Sequence, residues 1–235
     1  MIDPVTSKKK IFLMGIVLLV LTLFSYANTL YSPLNFDDHA VIQQLETSDS
    51  DIYQRFPPLQ HRHLFHLSFS INHSQWGTNP FGYHLINITF HFLTSLVLLF
   101  IVFFTLENGS DWHGKHALGI AGLTAILFTI NPLNTETVTY ISGRASGMAG
   151  FFYLTAILLF ILGSLNKYSG KFLLIPFYIF TLVAFLAAVL SKETSLTLPA
   201  IIILYDLCFM KNNHWVSFKN RLFFLYLPFL FSFLA

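Results

Sequence analysis

Two adjacent carboxylates, Asp37 and Asp38 in the stretch YSPLNFDDHAVI, are the first groups in this chain placed to do chemistry. They follow an apolar segment, where two like charges need cations or hydrogen-bond donors close by. A carboxylate held there can take the proton from an acceptor hydroxyl, the task of a general base. The same pair can also cap a short helix over His39–Leu45. Glu136, Arg144, Lys192 and Glu193 form a second set. Each falls at the end of an apolar segment, where an unpaired charge is costly and a functional role is the default expectation. Arg144 in YISGRASG and Lys192 in SKETS are cations near headgroup level, suited to a phosphate; plain snorkelling is the alternative.

The histidines carry less. His61, His63, His66 and His73 cluster in QHRHLFHLSFSINH, and His63 and His66 share one face of a helix, a spacing open to a metal. No carboxylate follows at ligand spacing, so the cluster reads as the polar tips of a helix lying in the interface, and no metal or other cofactor is firmly implied. His84, Asn87 and His91 form a stripe at i, i+3 and i+7 along an apolar segment. They read first as packing contacts between helices, with His84 and His91 as candidate supporting groups. Asn72-His73-Ser74 matches a glycosylation sequon.

These groups are set in a chain that is unlike a soluble one. Its 235 residues include 13 Lys+Arg and 11 Asp+Glu, only 10% charged, against 54% hydrophobic and 17% aromatic with 27 Phe. A soluble domain carries about 25% charged residues. The net charge of +2 is too small for a nucleic-acid footprint. The one cysteine, Cys208, excludes an internal disulfide and a CxxC motif. The composition is that of an integral membrane protein.

A helix crosses the bilayer with roughly 20 apolar residues. Spans are expected at 11–30, 84–106, 117–135, 145–166, 172–191 and 194–210, with a seventh at 222–235 that looks cut short, as in the N-terminal part of a larger protein. The first segment is longer than a signal-peptide core and is expected to be retained. The fold class is therefore all-α integral membrane, with about seven transmembrane helices and a long first extracytoplasmic loop, 31–83, containing short interfacial helices. With residues 1–10 in the cytoplasm, Lys8, Lys9, Lys10, Lys115, Lys167, Lys171, Lys211, Lys219 and Arg221 lie inside, and Arg55, Arg62, Arg144 and Lys192 outside. That obeys the positive-inside rule and gathers Asp37, Asp38, Glu136 and Glu193 on the outer face.

Three ordered motifs, WGTNPFGYHLINITFHFLTSLVLLF, NPLNTETVTYISGRASGMAGFFYLTAILLF and SKETSLTLPAIIILYDL, resemble the transmembrane and tetratricopeptide-repeat O-mannosyltransferase family, within the GT-C class of membrane glycosyltransferases. The resemblance runs from about Ser32 to Leu207. It implies an extracytoplasmic site fed by a polyprenyl- or dolichyl-phosphate sugar as co-substrate, with a protein or peptide hydroxyl as acceptor. The family's first-loop acidic motif corresponds to Asp37-Asp38, its second-loop acid to Glu136, its ISGR arginine to Arg144, and its later Lys-Glu pair to Lys192-Glu193. Asn131 and Asn134 stand where the family has histidines, Ser146 stands where it has an acid, and tetratricopeptide repeats do not follow.

The resemblance implies inverting, single-displacement transfer of a hexose, mannose first. Asp37 or Asp38 is the base, Glu136 orients hydroxyls, Arg144 and Lys192 hold the leaving phosphate, and Glu193 steadies Lys192. The membrane is the endoplasmic reticulum in a eukaryote, or the inner or plasma membrane in a prokaryote. Two other readings are a GT-C enzyme with another lipid-linked sugar and a glycan or lipid acceptor, and a non-catalytic membrane scaffold.

Overall fold

The computed structural model describes residues 4–35, 37–47, 62–108, 111–165 and 171–209. The expected segment at 222–235 and the loop at 48–61, with His61, lie outside them. The described secondary structure is helical: α1 (Pro4–Tyr26), α2 (Asp37–Thr47), α3 (His63–Trp76), α4 (Pro80–Glu107), α5 (Asp111–Thr129), α6 (Thr135–Thr139), α7 (Arg144–Leu165), α8 (Lys171–Ser191) and α9 (Leu198–Phe209). Tight 3₁₀ turns at Ala27–Thr29, Pro132–Asn134, Ile141–Gly143 and Glu193–Thr197 join them.

Helix starts follow from local chemistry. Asn79 accepts a bond from the amide of Phe81 (3.0 Å), with Pro80 just inside α4. Asn131 does the same for Leu133 (3.0 Å), ahead of Pro132. An Asn side chain satisfies an amide that the helix leaves orphaned, and proline has no amide to orphan. The stop between α3 and α4 is Gly77, whose φ of +55° suits glycine.

Helix α4 is central, packing on α1, α5 and α7, while α7 and α8 lie along one another. Leu18, Leu99, Ala121 and Ala125 fill the space between α1, α4 and α5. Ala156, Phe160, Phe185, Leu198 and Ile202 fill that between α7, α8 and α9. Phe12, Phe24, Leu123, Val183 and Leu207 face outward, as hydrocarbon-facing side chains do. Buried hydroxyls along the helices return to the preceding turn, as in Thr22 to the Leu18 carbonyl (2.7 Å) and Ser95 to that of His91 (2.9 Å). Such bonds spare these hydroxyls the need for a solvent that is absent.

Three helical stretches are long and apolar enough to cross a membrane: Lys9–Thr29, Pro80–Glu107 and Ile141–Leu165. A fourth is reached if Gly114–Thr129 and Pro132–Thr139, bent by 50° at Asn131-Pro132, form one span. Helix α8 runs on through Pro176, and its stretch Pro176–Ser191 is apolar. The 194–210 segment opens with a 3₁₀ turn, so its α-helix, α9, begins only at Leu198. A multi-pass helical membrane protein is thus established, with three to four such spans among the described residues.

Helices α7 and α8 approach closely at Gly163, where an added Cβ would lie 2.9 Å from that of Phe177 on α8. Small residues permit such approach between apolar helices. Gly163→Val should push α7 from α8 and cost about 1–3 kcal/mol, read as a lower melting temperature in detergent; an unchanged melt would show that the helices do not close there.

Candidate functional site

The polar residues gather at one end of the bundle, around the turn Ile141–Gly143. Asp38 is buried, and its Oδ1 accepts two bonds from Ser142, one from the amide (2.8 Å) and one from the hydroxyl (2.6 Å). Its Oδ2 accepts the Asn35 amide (3.2 Å). Asp37, the next residue back, is exposed, and its amide donates to the Tyr140 hydroxyl (3.1 Å). The two carboxylates are therefore unlike: one is fixed in the protein and the other is presented. Both occupy the first turn of α2, and Asp38 reaches back to the amide of Asn35 ahead of it.

The turn is held from behind by Arg144, which is 1% exposed. Its Nε donates to Asn87 Oδ1 (2.8 Å) and its Nη2 to Asn72 Oδ1 (2.7 Å) and the Tyr83 carbonyl (3.0 Å). Nη1 reaches the Ser68 carbonyl and hydroxyl at 3.4 Å each, and the Phe69 ring lies 4.3 Å from the guanidinium carbon. The sequence suggested a phosphate partner at headgroup level; in the fold every nitrogen of this guanidinium has a protein acceptor. The sequon asparagine Asn72 is one of them and is fully buried.

The stripe on α4 faces inward and meets backbone carbonyls. His84 Nε2 lies 3.2 Å from the Ser32 carbonyl and His91 Nε2 3.0 Å from that of Thr129. Asn87 Nδ2 donates to the carbonyls of Tyr140 (3.0 Å) and Ile141 (3.3 Å). Both histidines thus brace the loops around the site, and neither touches Asp37 or Asp38 through these bonds. Glu136 is exposed on the short helix α6. Its carbonyl sits where a Cβ on Gly143 would be 2.6 Å away, so only glycine permits this turn to fold back on α6. Asn131 and Asn134, the residues in the histidine positions, secure the α5–α6 bend: Asn134 Nδ2 donates to the Phe128 carbonyl (2.7 Å).

Lys192 sits at the end of α8, and its Nζ donates to Ser146 Oγ (2.8 Å) on the first turn of α7. The two flank a groove of about 320 Å³ that also touches Tyr153, Thr194 and Ser195. Glu193 pairs with Arg62, both carboxylate oxygens lying 3.2–3.3 Å from guanidinium nitrogens. This pair ties the start of α3 to the Lys192 loop, a role for Glu193 that its neighbour in sequence did not suggest. Arg62 has φ +73°, the left-handed region. Ser142, Ser146, Tyr140, Asn72 and Arg62 are the site's further residues. Of these, Tyr140, Ser142 and Ser146 carried a signal as neighbours of Arg144 in YISGRASG, and Asn72 and Arg62 were noticed only as a sequon and an outer cation. Among the described residues no three His, Cys, Asp or Glu side chains converge as a metal site would require.

The chain is 33% identical over 171 residues to protein O-mannosyl-transferase TMTC1 of Homo sapiens, covering 69% of this chain and 18% of that protein. It is 31% identical over 148 residues to protein O-mannosyl-transferase TMTC3 of Mus musculus (62% and 14%), and 35% identical over 136 residues to protein O-mannosyl-transferase Tmtc1 of Drosophila melanogaster (58% and 14%). The chain thus spans less than a fifth of the length of these relatives. No family model matches it, and no solved structure does.

Two outcomes follow from this geometry. Arg144→Ala would leave several buried acceptors unpaired, at about 1–3 kcal/mol each, and should lower the melting temperature more than Lys192→Ala; equal effects would show that the guanidinium does not organise the turn. His66, half-buried on α3, has its pKa held below the ordinary value by burial first, then by the positive charges of His63 and Arg62. The folded state therefore resists a proton that the unfolded chain accepts. Its stability contribution is complete above the ordinary histidine range and is lost as pH falls through it. His66→Gln should flatten that part of the melting-temperature profile.

Proposed function

We propose, for a chain that belongs at family level with the transmembrane and tetratricopeptide-repeat O-mannosyltransferases, that this polar end is the active site of a lipid-phosphate-sugar-dependent glycosyltransferase. The relatives named above are O-mannosyl-transferases, and we extend that activity to this chain. The donor is a polyprenyl- or dolichyl-phosphate hexose, mannose first, and the acceptor a Ser or Thr hydroxyl of a protein. The site faces the extracytoplasmic side, with the N-terminus in the cytoplasm.

The observation that carries this reading is the unequal pair of carboxylates. Asp38 is buried and bonded to Ser142, which leaves the exposed Asp37 as the group able to meet an incoming hydroxyl. In the transfer, the acceptor oxygen forms a bond to the anomeric carbon as its proton passes to Asp37. The bond from that carbon to the phosphate oxygen breaks, and the phosphate keeps the electron pair, so configuration inverts in one displacement. Lys192 has one of its three donors on Ser146 and lies in the groove, where it stabilises the leaving phosphate. Glu136, exposed on α6, orients hydroxyls of sugar or acceptor. Arg144 acts through the turn it holds, and Glu193 through its pair with Arg62.

The test is an assay of the purified chain with radiolabelled polyprenyl-phosphate mannose and a Ser/Thr-rich peptide. Asp37→Asn should lower transfer by about 10²–10⁴-fold, the contribution of a general base, without changing the melting temperature. Asp38→Asn should lower both, since it disturbs two bonds to Ser142. Undiminished transfer by the Asp37→Asn/Asp38→Asn double variant sinks the assignment of the base.

A further inference from the structure

A second cavity, of about 210 Å³, lies between α4, α5, α6 and α7 on the inner side of the Arg144 turn. That is many times the space a single water needs. Its wall is mixed: His91, Asn134 and Thr137 supply polar atoms, and Phe90 and Phe128 supply apolar faces. His91 Nε2 is bonded to a carbonyl, which can only accept, so the ring carries its proton there and Nδ1 is a lone-pair acceptor. Thr137 adds a hydroxyl. The lining is mostly apolar, with Val138 and Leu154 beside the two rings, and the hydrogen-bonding groups are set among these faces. It suits a compact ring with hydroxyls at its edge and C–H bonds on its face.

The cavity borders the Lys192 groove. Ser146, Gly150 and Leu154 line both. Gly150 is the open point of that border: a Cβ built on it meets nothing within 4 Å. Glycine is a poor helix residue, and here no neighbouring atom requires it. The space it leaves lies on the border that the cavity shares with the Lys192 groove.

We propose that the cavity walled by His91, Asn134, Thr137 and Phe128 is the sugar-ring subsite for a glycosyl phosphate whose phosphate lies at Lys192 and Ser146, with Gly150 as the threshold between them. This rests on the reading of the Lys192 groove as the donor-phosphate site. It adds the residues that recognise the sugar, and it makes Gly150 the position whose side chain excludes the ring while sparing the phosphate.

The experiment uses the purified full chain in detergent, with binding of a short isoprenyl phosphate measured by titration calorimetry. The compound is offered bare and carrying mannose, glucose or galactose on the phosphate. The native chain should bind at least one glycosylated form about tenfold or more tighter than the bare phosphate, as a site built to hydrogen-bond hydroxyls discriminates. Gly150→Leu should bind every form as the native chain binds the bare phosphate, with its melting temperature retained; Gly150→Ala should fall between. Thr137→Val, which keeps shape and removes the hydroxyl, should narrow the preference several-fold and leave bare-phosphate affinity unchanged. Native-like preference in Gly150→Leu overturns the subsite. So does a native chain that binds bare phosphate through Lys192, as judged by loss in Lys192→Met, but prefers no sugar; the donor-groove reading then stands alone. A native chain that binds no form overturns both.

Discussion

A guanidinium buried among uncharged acceptors is the constraint on which the polar end of this protein depends. A charge taken out of water is tolerated only where its donors are met. Arg144 is met by the amide oxygens of Asn72 and Asn87, the carbonyls of Tyr83 and Ser68 and the Ser68 hydroxyl. Those partners come from α3 and α4, so α7 must begin where both converge. The planar fork of arginine can serve them together, and a lysine's point charge cannot. The Phe69 ring against the guanidinium closes the remaining side. With the first residue of α7 fixed, the preceding turn is fixed also, and Ser142 in that turn holds the Asp38 carboxylate. A cation that touches no acid in these bonds thereby decides where an acid stands.

The apolar surroundings sharpen this dependence. In hydrocarbon a backbone group or hydroxyl has no water to fall back on, and the helices meet the requirement by returning Thr and Ser hydroxyls to the turn before. At the ends of helices that device fails, because the terminal amides have no partner within the helix. Asparagine then does the work, at Asn79 and Asn131 as caps, and at Asn87 and Asn134 as donors to loop carbonyls. The histidines of α4 act likewise on Ser32 and Thr129. The loops are consequently braced by the spans rather than draped over them, and the groove and cavity between them are features of a fixed scaffold.

What could be read from the chain and what could not divide along physical lines. The helical class followed from charge density, which is a property of each segment alone. So did the placing of Asp37, Asp38, Glu136, Arg144, Lys192 and Glu193 at segment ends, and the fold brings Asp38 to the Arg144 turn and Ser146, two residues beyond Arg144, to Lys192. Partners were not legible, since they come from distant parts of the chain. Asn72 read as a sequon because its local pattern is one, yet its oxygen is spent on Arg144. Glu193 read as the companion of Lys192 because it is adjacent, yet its carboxylate spans to Arg62. A run without charge satisfies the composition of a crossing helix, yet the 194–210 run opens with a 3₁₀ turn, Glu193–Thr197, before its α-helix begins at Leu198.

The unequal aspartates show why two adjacent acids serve this site better than one. Successive residues on an α-helix point about 100° apart, so Asp37 and Asp38 at the start of α2 cannot both face the protein. The helix start favours negative charge at either position. Asp38 turns inward and is bound by Ser142 and Asn35, which fixes the rotation of α2 about its axis as well as its distance from the Arg144 turn. Asp37 is then exposed, its backbone amide tied to the Tyr140 hydroxyl. A single acid would have to be either held or available. The pair separates the two demands: the chain from Arg144 through Ser142 to Asp38 holds one carboxylate in place, and the exposed Asp37 is the one open to an acceptor in the reaction proposed above.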